Sequence, residues 1–171
     1  MELSEPPRLM QPTVAVRDSW LAVERADCAR SGSSTALLDQ AIEDFGQVVA
    51  ERQGVGIWWG VPASFFWYIS GDLYIGELVI RHKLTPALAE SGGHIGYSVA
   101  TPWRRQGHAT RMLAAGLIEC RGLGLRRVLL TCGVDNEPSR RVILANGGTP
   151  DGTANGEDRF WITVHGEDSL P

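Results

Sequence analysis

The sequence predicts a mixed α/β fold organised on a central sheet, and three observations support that class. Residues 95–112 read as a strand, a basic glycine-containing loop and a helix start, because an alternating apolar run meets a Pro-Trp break and then helical periodicity. A short β-branched run at 128–132 follows that helix, and a strand, a helix and a strand in this order are typical of a parallel or mixed sheet. Residues 64–82 read as two strands joined by a tight Gly-Asp turn, which adds an antiparallel hairpin to the predicted sheet.

Length and composition indicate one globular domain. At 171 residues the chain has the length of a single domain and can bury about 70% of its unfolded surface, so we expect residues 1–171 to form one unit. Its hydrophobic fraction of 43% and charged fraction of 21% are ordinary for a soluble protein. No stretch approaches the roughly 20 apolar residues of a membrane span, and the N-terminus lacks the features of a signal peptide. These features predict a cytoplasmic protein with no membrane partner.

Charge and cysteine content exclude further classes. The net charge is −4, and almost every basic residue is an arginine, with Lys83 as the single lysine. No long basic patch is present, which argues against nucleic acid as a partner. The three cysteines, Cys28, Cys120 and Cys132, are widely spaced and form no Cys-x-x-Cys pair. We therefore expect reduced, structural thiols and no metal site.

The N-terminal third is predicted to hold a short strand and two helices. Residues 1–12 contain three prolines and little apolar pattern, so a loose arm is expected before a first strand at 13–16. A helix follows from residues 18–19, an Asp-Ser pair suited to an N-cap, and ends near residue 28. Apolar residues then recur at helical spacing from 37 to 49, which predicts one further helix.

The middle of the chain is predicted to hold an aromatic loop and a hairpin. Residues 54–62 are rich in glycine and read as a loop. The hairpin strands are expected at 64–70 and 73–82. Alternation along the first of them places Phe65 and Trp67 on one face, and most of the aromatic side chains here are expected in the core.

The second half supplies the remaining elements. They are predicted to be a helical turn near 88–90, a strand at 94–99, a helix at 109–121, a strand at 128–132, a short helix at 140–145, a final strand at 159–164 and a tail at 166–171. The basic loop before the long helix directs backbone N–H groups and the positive end of the helix dipole at one spot. Such a loop suits an anion, and a phosphate-bearing ligand is the natural candidate.

The residues of this loop resemble a known family. The acyl-CoA loop of the GNAT N-acetyltransferase superfamily reads Arg or Gln, two residues, Gly, one residue, then Gly or Ala, and Arg104, Gly107 and Ala109 fit that pattern. More narrowly, short segments between residues 80 and 148 are similar to a little-characterised bacterial branch of predicted acetyltransferases. The loop motif alone is weak, because Gly-x-Ala after a basic residue occurs by chance.

The surroundings of the loop make the resemblance specific. A strand precedes the loop, a helix follows it, and an Asn-x-x-Ser helix start at Asn136 and Ser139 lies one strand further on, as in the family. The resemblance covers about residues 57–164. It implies a GNAT-like fold: a central mixed, mostly antiparallel sheet with helices on both faces, splayed between the fourth and fifth strands at 94–99 and 128–132.

The same resemblance implies a site for acetyl-CoA. Backbone amides and arginines of the loop would receive the pyrophosphate, and the pantetheine arm would pair with the free edge of the fourth strand. The implied cofactor-binding residues are Tyr97, Ser98, Val99, Arg104, Arg105, Gln106, Gly107, His108, Ala109, Thr110, Asn136 and Ser139. Asn136 and Ser139 are also common helix caps, and a purely local role remains the alternative.

Acetyl transfer to an amine needs a base for the ammonium and a proton for the thiolate that leaves. Family members often place a general-acid tyrosine seven residues after the asparagine, but that position is Ile143 here. Tyr97, Ser139 or a bound water is then left as the proton donor. Glu77 and His94 are the candidate bases, with His94 slightly preferred because it titrates near neutrality. A structural role for His94, bonded to the preceding Gly-Gly turn, is equally compatible with the sequence.

The acceptor site is the least specified part of the sequence. Trp58, Trp59 and Arg81 are candidate substrate-binding residues, although the tryptophans also suit a subunit contact. Arg81 and His82 suit a structural pairing with Glu90, which is the first expectation for them.

The expected function is a cytoplasmic N-acetyltransferase that moves an acetyl group from acetyl-CoA to the amine of a small molecule by direct transfer in a ternary complex. Acetyl-CoA is the only co-substrate expected. A protein or peptide N-acetyltransferase is the alternative enzyme. A non-catalytic acyl-CoA-binding sensor is a further alternative, which Ile143 favours. A homodimer is compatible with an exposed final strand and an aromatic loop.

Overall fold

Eight strands and six helices make up residues 3–164, the part of the chain that the computed structural model describes. The helices are α1 (Arg17–Ser31), α2 (Ala36–Glu43), α3 (Phe45–Arg52), α4 (Pro86–Glu90), α5 (His108–Gly122) and α6 (Glu137–Ala145). The strands are β1 (Arg8–Met10), β2 (Gly56–Trp58), β3 (Val61–Ser70), β4 (Leu73–Arg81), β5 (Ile95–Val99), β6 (Arg127–Gly133), β7 (Thr149–Ala154) and β8 (Glu157–Thr163). The tail predicted at 166–171 lies outside the described residues.

The N-terminal segment differs from the prediction. The expected strand at 13–16 is wrong, because Val14–Val16 form a 3-10 turn whose start is capped by Thr13. The expectation of a loose arm over residues 1–12 is wrong for β1, which pairs antiparallel with β3. Prolines stand on both sides of β1 and outside its ladder, the position that an edge strand tolerates.

The helix predicted over residues 37–49 is divided in two. Asp44 separates α2 from α3 with an extended backbone, φ −147° and ψ 90°, and its carboxylate accepts a hydrogen bond from the N–H of Gln47 at 3.0 Å. The predicted loop at 54–62 likewise contains a short strand, β2, which pairs antiparallel with β3 so that Trp58 faces Val61.

The strands form two sheets, and every strand pair within them is antiparallel. The larger sheet joins β1, β3, β4 and β5 in that order, with β2 also on β3, and the smaller sheet joins β6, β8 and β7. The register of the larger sheet places Glu77 of β4 beside Trp67 of β3 and Ser98 of β5. The predicted mixed α/β class with a mostly antiparallel sheet is confirmed.

β5 and β6 are neighbours only where β5 begins. The backbone N–H of His94 donates to the carbonyl oxygen of Leu129 at 2.7 Å, and the N–H of Leu129 donates to Nδ1 of His94 at 2.9 Å. Gly93 permits this approach, since a Cβ there would lie 2.3 Å from the carbonyl oxygen of Leu129. No ladder joins the two strands beyond this contact within residues 3–164, so the predicted splay leaves one edge of β5 free at residues 97–99.

Helices cover both faces of the larger sheet. Trp67 of β3 packs against Trp20 of α1 and Phe45 of α3, with ring centroids 6.3 and 6.0 Å away. The next residue, Tyr68, packs on the other face against His108 of α5 at 6.0 Å. The aromatic residues of β3 are buried, as predicted, and they fix the helices to the sheet.

Residues 3–164 contain neither a candidate membrane-spanning helix nor a cluster of metal-ligating side chains. None of the helices is long and apolar enough to cross a membrane. No group of three or more His, Cys, Asp or Glu side chains in that range is placed to hold a metal ion.

Candidate active site

Two residues of the loop between β5 and α5 adopt the left-handed backbone conformation. Arg105 has a φ of 63°, and Gly107, the N-cap residue of α5, has a φ of 77°. No side chain caps this helix, so the N–H groups of its first turn, at residues 108–110, have no partner within the helix. The loop therefore presents free amide donors and the positive end of the helix dipole, an arrangement suited to phosphate.

A cleft of about 800 Å³ opens in front of this loop, between the free edge of β5 and the first turn of α6. The residues predicted from sequence that line it are Tyr97, Ser98, Val99, Arg104, Arg105, Gly107, His108, Ala109, Thr110, Asn136 and Ser139. Gln106 is the exception, since its Nε2 turns back and donates to the carbonyl oxygen of Pro102 at 3.1 Å. The structure thus gathers the predicted cofactor-binding residues, apart from Gln106, around one cavity.

Sequence reasoning missed the rest of the cleft wall. The additional residues are Trp103, Glu137, Pro138, Arg141 and Val142. Helix periodicity contained a signal for some of them, because a helix that turns Asn136 and Ser139 toward a ligand also brings Val142 to the same side.

Two hydroxyl groups meet at the cleft. The phenol oxygen of Tyr97 on β5 lies 2.7 Å from Oγ of Ser139 on α6. Asn136 caps α6 by accepting a hydrogen bond from the N–H of Ser139 at 3.2 Å, which fixes that first turn. Burial raises the pKa of Tyr97, with the Ser139 hydrogen bond opposing it, so the phenol is protonated near neutral pH. Asn136 therefore has the local capping role as well as a place in the cleft wall.

A second cavity, of about 320 Å³, shares Tyr97 and Ser98 with the cleft. Its other lining residues are Arg52, Trp58, Trp59, Phe65, Glu77, Val79, Arg81 and Gly96. Trp58 and Trp59 form one aromatic group with Phe65, with centroids 5.0 and 6.2 Å from the phenylalanine ring. Trp58, Trp59, Arg81 and Glu77, all named from the sequence, thus lie around a single cavity, while Arg52 of α3 and Gly96 of β5 were not foreseen.

Glu77 supplies the carboxylate of this second cavity. Its Oε2 accepts a hydrogen bond from Nε1 of Trp67 at 2.9 Å, and the sheet register sets it beside Ser98. Burial raises the pKa of Glu77 above its ordinary value, although the Trp67 hydrogen bond and the Arg52 charge oppose the shift. A carboxylate with a raised pKa is a stronger proton acceptor, so Glu77 can serve as a base next to the shared wall.

His94, the base slightly preferred from the sequence, lines neither cavity. Its Nδ1 accepts the N–H of Leu129 at 2.9 Å, and its ring packs 6.2 Å from that of Trp161. Burial and then the nearby Arg81 charge lower the pKa of His94, which keeps the ring neutral. The geometry therefore favours the structural role at the contact of β5 with β6 and leaves Glu77, the other base named from the sequence, as the candidate.

Arg81 supports a turn and forms part of the cavity wall. Its Nη1 donates to the carbonyl oxygens of Gly92 and Gly93 at 2.9 and 3.2 Å, and its guanidinium lies 4.2 Å from the Trp59 ring centroid. The expected pairing of Arg81 and His82 with Glu90 is wrong. His82 bonds to Ser64 at 2.9 Å, and Glu90 accepts from Asn155 at 2.8 Å.

Comparison with known proteins supplies a family match. A family model described as "Acetyltransferase (GNAT) family" matches residues 35–147 of the chain. No curated protein sequence matches it.

Several solved structures share the fold. The microcin C7 self-immunity acetyltransferase MccE, in complex with acetyl-CoA and AMP, is 14% identical with a TM-score of 0.65 and 94% of each chain covered. RimJ from Mycobacterium smegmatis, in complex with CoA-disulfide, is 22% identical with a TM-score of 0.66, covering 92% of this chain and 82% of that one. An acetyltransferase from Salmonella typhimurium that modifies the N-terminal serine of a 50S ribosomal subunit protein is 17% identical with a TM-score of 0.63, covering 95% and 97%. At these identities the likeness shows the fold.

Proposed function

The chain belongs to the acetyltransferase (GNAT) family, and we propose that it transfers the acetyl group of acetyl-CoA directly to the amine of a small molecule in a ternary complex. As a member of this family it is an acetyl-CoA-dependent acetyltransferase. The observation that carries the finer proposal is the meeting of two cavities at Tyr97 and Ser98. One cavity suits a phosphate-bearing donor, and the other holds a carboxylate beside the shared wall.

The residues of the larger cleft fit acetyl-CoA as the donor. The uncapped N–H groups at residues 108–110 offer hydrogen bonds to pyrophosphate oxygens, and the Arg105 guanidinium adds charge. Arg104 is held to the end of β5 by a 2.8 Å hydrogen bond from its Nε to the carbonyl oxygen of Val99. The rest of the free edge at 97–99, beside this occupied carbonyl, has backbone groups that can pair with the amides of a pantetheine arm, as an added strand would.

Glu77 is the proposed base. An amine acceptor arrives as an ammonium and must lose a proton before its nitrogen can attack. The raised pKa of Glu77 makes its carboxylate an effective acceptor for that proton, directly or through one water. Its place beside Ser98 sets the base next to the wall that both cavities share.

Tyr97 and Ser139 are the proposed source of the second proton. Bound acetyl-CoA supplies an activated thioester, whose carbon–sulfur bond breaks as the acceptor nitrogen bonds to the acetyl carbon. The Tyr97 phenol, protonated and bonded to Ser139 at 2.7 Å, can donate to the departing sulfur and recover a proton through the serine. This pair takes the place of the tyrosine expected at Ile143, which is fully buried in the core.

A protein N-terminus is the second candidate acceptor. The wall of the smaller cavity exposes an apolar side chain beside β2, Trp59 at 52%, which suits contact with a peptide. The Salmonella typhimurium acetyltransferase, which has the same fold, modifies such a substrate, the N-terminal serine of a ribosomal subunit protein. A cavity of about 320 Å³ lies within the range typical of small ligands, which favours the small amine. The predicted cytoplasmic location and single-domain organisation remain predictions.

Two measurements test the proposal together. Acetyl-CoA is expected to raise the melting temperature, because a ligand that binds only the native state stabilises it. Release of free thiol is then followed with a panel of small amines and, separately, with peptides that have free N-termini. Thiol release with peptides alone would select the second candidate. An unchanged melting temperature would refute the proposed donor site.

A further inference from the structure

The charge of Arg81 is unusual for its position. The residue is only 8% exposed, and none of the ion pairs within residues 3–164 includes it. Of its three guanidinium nitrogens, Nη1 donates to two carbonyl oxygens, whereas Nε is buried without a partner. A buried cation without an opposite charge is costly. Within residues 3–164, Arg81 is therefore a buried cation at this wall that a bound anion would neutralise.

The other cation of the cavity is differently placed. Arg52 lies close enough to Glu77 for its charge to act on that carboxyl group. Its guanidinium carbon is 5.7 Å from the ring centroids of both Trp58 and Phe65. Glu77 can balance Arg52, so Arg81 is the unbalanced charge of the cavity.

The geometry separates Arg81 from the proposed base. Side chains at 77, 79 and 81 share one face of β4, because successive residues of a strand alternate between faces. The Arg81 guanidinium extends over Gly96 of β5, where a Cβ would lie 3.5 Å from Nη2. Gly96 and Ser98 are two residues apart, about 7 Å along a strand, and Ser98 is the residue beside Glu77. An anion at Arg81 and an amine at Glu77 therefore stand several bonds apart.

The surface between these two ends is apolar. Val79 forms part of the floor, Phe65 and Trp59 form the side, and Gly96 leaves the floor open. Such walls suit a ligand whose middle part is planar or aliphatic. They offer nothing to replace the hydrogen bonds with water that a polar middle part would lose on binding.

We propose that the acceptor is a small amine that bears a carboxylate several bonds from its nitrogen, with the amine beside Glu77 and the carboxylate on Arg81. This inference rests on the proposed function, since it assigns the acceptor to the smaller cavity. Gly96 has a specific part in it, because a Cβ there would lie against the guanidinium, 3.5 Å from Nη2, and would take space from the floor.

The test compares para-(aminomethyl)benzoate with its neutral carboxamide, two amines of the same body and length. With saturating acetyl-CoA, kcat/KM is expected to be at least about 10-fold higher for the acid, because charge-assisted hydrogen bonds to a guanidinium are the strong ones. A ratio of one or below would overturn the inference. No turnover of either compound, with acetyl-CoA still raising the melting temperature and other small amines releasing thiol, would overturn this inference and leave the proposed function standing.

Variants locate the effect on Arg81. Arg81→Gln is expected to bring the ratio of acid to amide close to one, and Arg81→Lys to retain part of it. Because the ratio is taken within each variant, a general loss of activity does not move it. Arg127→Gln is the matched control, since Arg127 also lies over a tryptophan, 4.7 Å from the Trp161 ring centroid, but outside the cavity. If Arg81→Gln does not fold, the wild-type ratio decides, and an undiminished ratio in folded Arg81→Gln contradicts the assignment.

Discussion

The larger cleft, which we assign to the donor and call the donor cleft, and the smaller cavity, which we assign to the acceptor and call the acceptor cavity, are built in different ways. The cleft is formed by two continuous segments, residues 97–110 and 136–142, and its proposed contacts with the donor are largely backbone groups. The acceptor cavity draws its walls from α3, β2, β3, β4 and β5, and its chemistry comes from side chains. The two share only Tyr97 and Ser98.

This difference separates general recognition of the donor from specific recognition of the acceptor. A site made from an uncapped helix start and a free strand edge recognises phosphate and amide groups whatever the flanking side chains are. A site made from Arg52, Glu77 and Arg81 changes its preference with each substitution. Damage to one site should therefore leave binding at the other intact, and the following predictions test that independence.

The largest expected effect comes from Gly107→Asp in the donor loop. The new side chain would stand at a residue with φ 77°, with its Cβ 2.9 Å from Nη1 of Arg111, and would bring a negative charge into the loop that lines the cleft. We expect acetyl-CoA affinity to fall by about 1000-fold, because several charge-assisted hydrogen bonds are lost together. Isothermal titration with acetyl-CoA measures the change.

Gly124→Asp is the matched control for that variant. Gly124 has nearly the same φ, 78°, lies after the other end of α5 and has no atom within 4 Å of a Cβ. It introduces the same charge and the same backbone strain away from the cleft, so acetyl-CoA affinity should stay within about 2-fold of wild type. Equal losses in both variants would show that strain, and not the phosphate position, explains the first result.

The next effect is expected from Glu77→Gln in the acceptor cavity. An amide cannot take the proton of the ammonium, so kcat should fall by about 100-fold. Its carbonyl oxygen can still accept the Trp67 hydrogen bond. The stabilisation by acetyl-CoA should be unchanged, and the exposed Glu43→Gln should leave kcat at the wild-type value. Unaltered kcat in Glu77→Gln would remove Glu77 from the mechanism.

The same variant should be more stable than the wild type above neutral pH. Burial raises the pKa of Glu77, so the folded protein holds this proton more tightly than the unfolded chain does. The stabilisation from that proton is present below the ordinary carboxyl pKa and is lost as the pH rises through the raised value. Glutamine escapes this loss, so the gain in melting temperature should be larger at pH 8 than at pH 4. Lower activity combined with higher stability would mark a carboxylate kept for function.

The donor cleft was the part that the sequence predicted well, for a local reason. A helix start, a left-handed glycine and a preceding strand are adjacent in the chain, so the motif contains the geometry. Gln106 does not line the cleft, because its side chain has a nearer partner in the carbonyl of Pro102. The division at Asp44 was also legible in sequence, since Asp44 followed by Gln47 is a helix-start pattern.

The sequence did not predict that the residues of the acceptor cavity come together, because they are distant from one another in the chain. Trp58, Glu77 and Arg81 were each named, but their meeting depends on the register of β2, β3 and β4, which pairs residues distant in sequence. Arg52 joins them only because α3 packs over that face. His94 was slightly preferred as the base because of its ordinary titration range, whereas its hydrogen bond to Leu129 favours the structural role. Pairing between elements, and not local propensity, sets this cavity.

The smallest expected effect lies where the two cavities meet. Tyr97→Phe removes the hydroxyl group but keeps the ring in the wall that the cavities share. Ser139 and water are then left to protonate the departing sulfur, so kcat should fall only about 10-fold. Ser139→Ala should have a similar effect and keep its N–H bonded to Asn136, which leaves α6 capped. If the two hydroxyls act as one relay, the double variant should lose little more than either single one, because members of one hydrogen-bonded unit are not additive. Steady-state kcat for the four proteins at saturating acetyl-CoA tests this. Losses that multiply would instead assign the two hydroxyls to independent tasks.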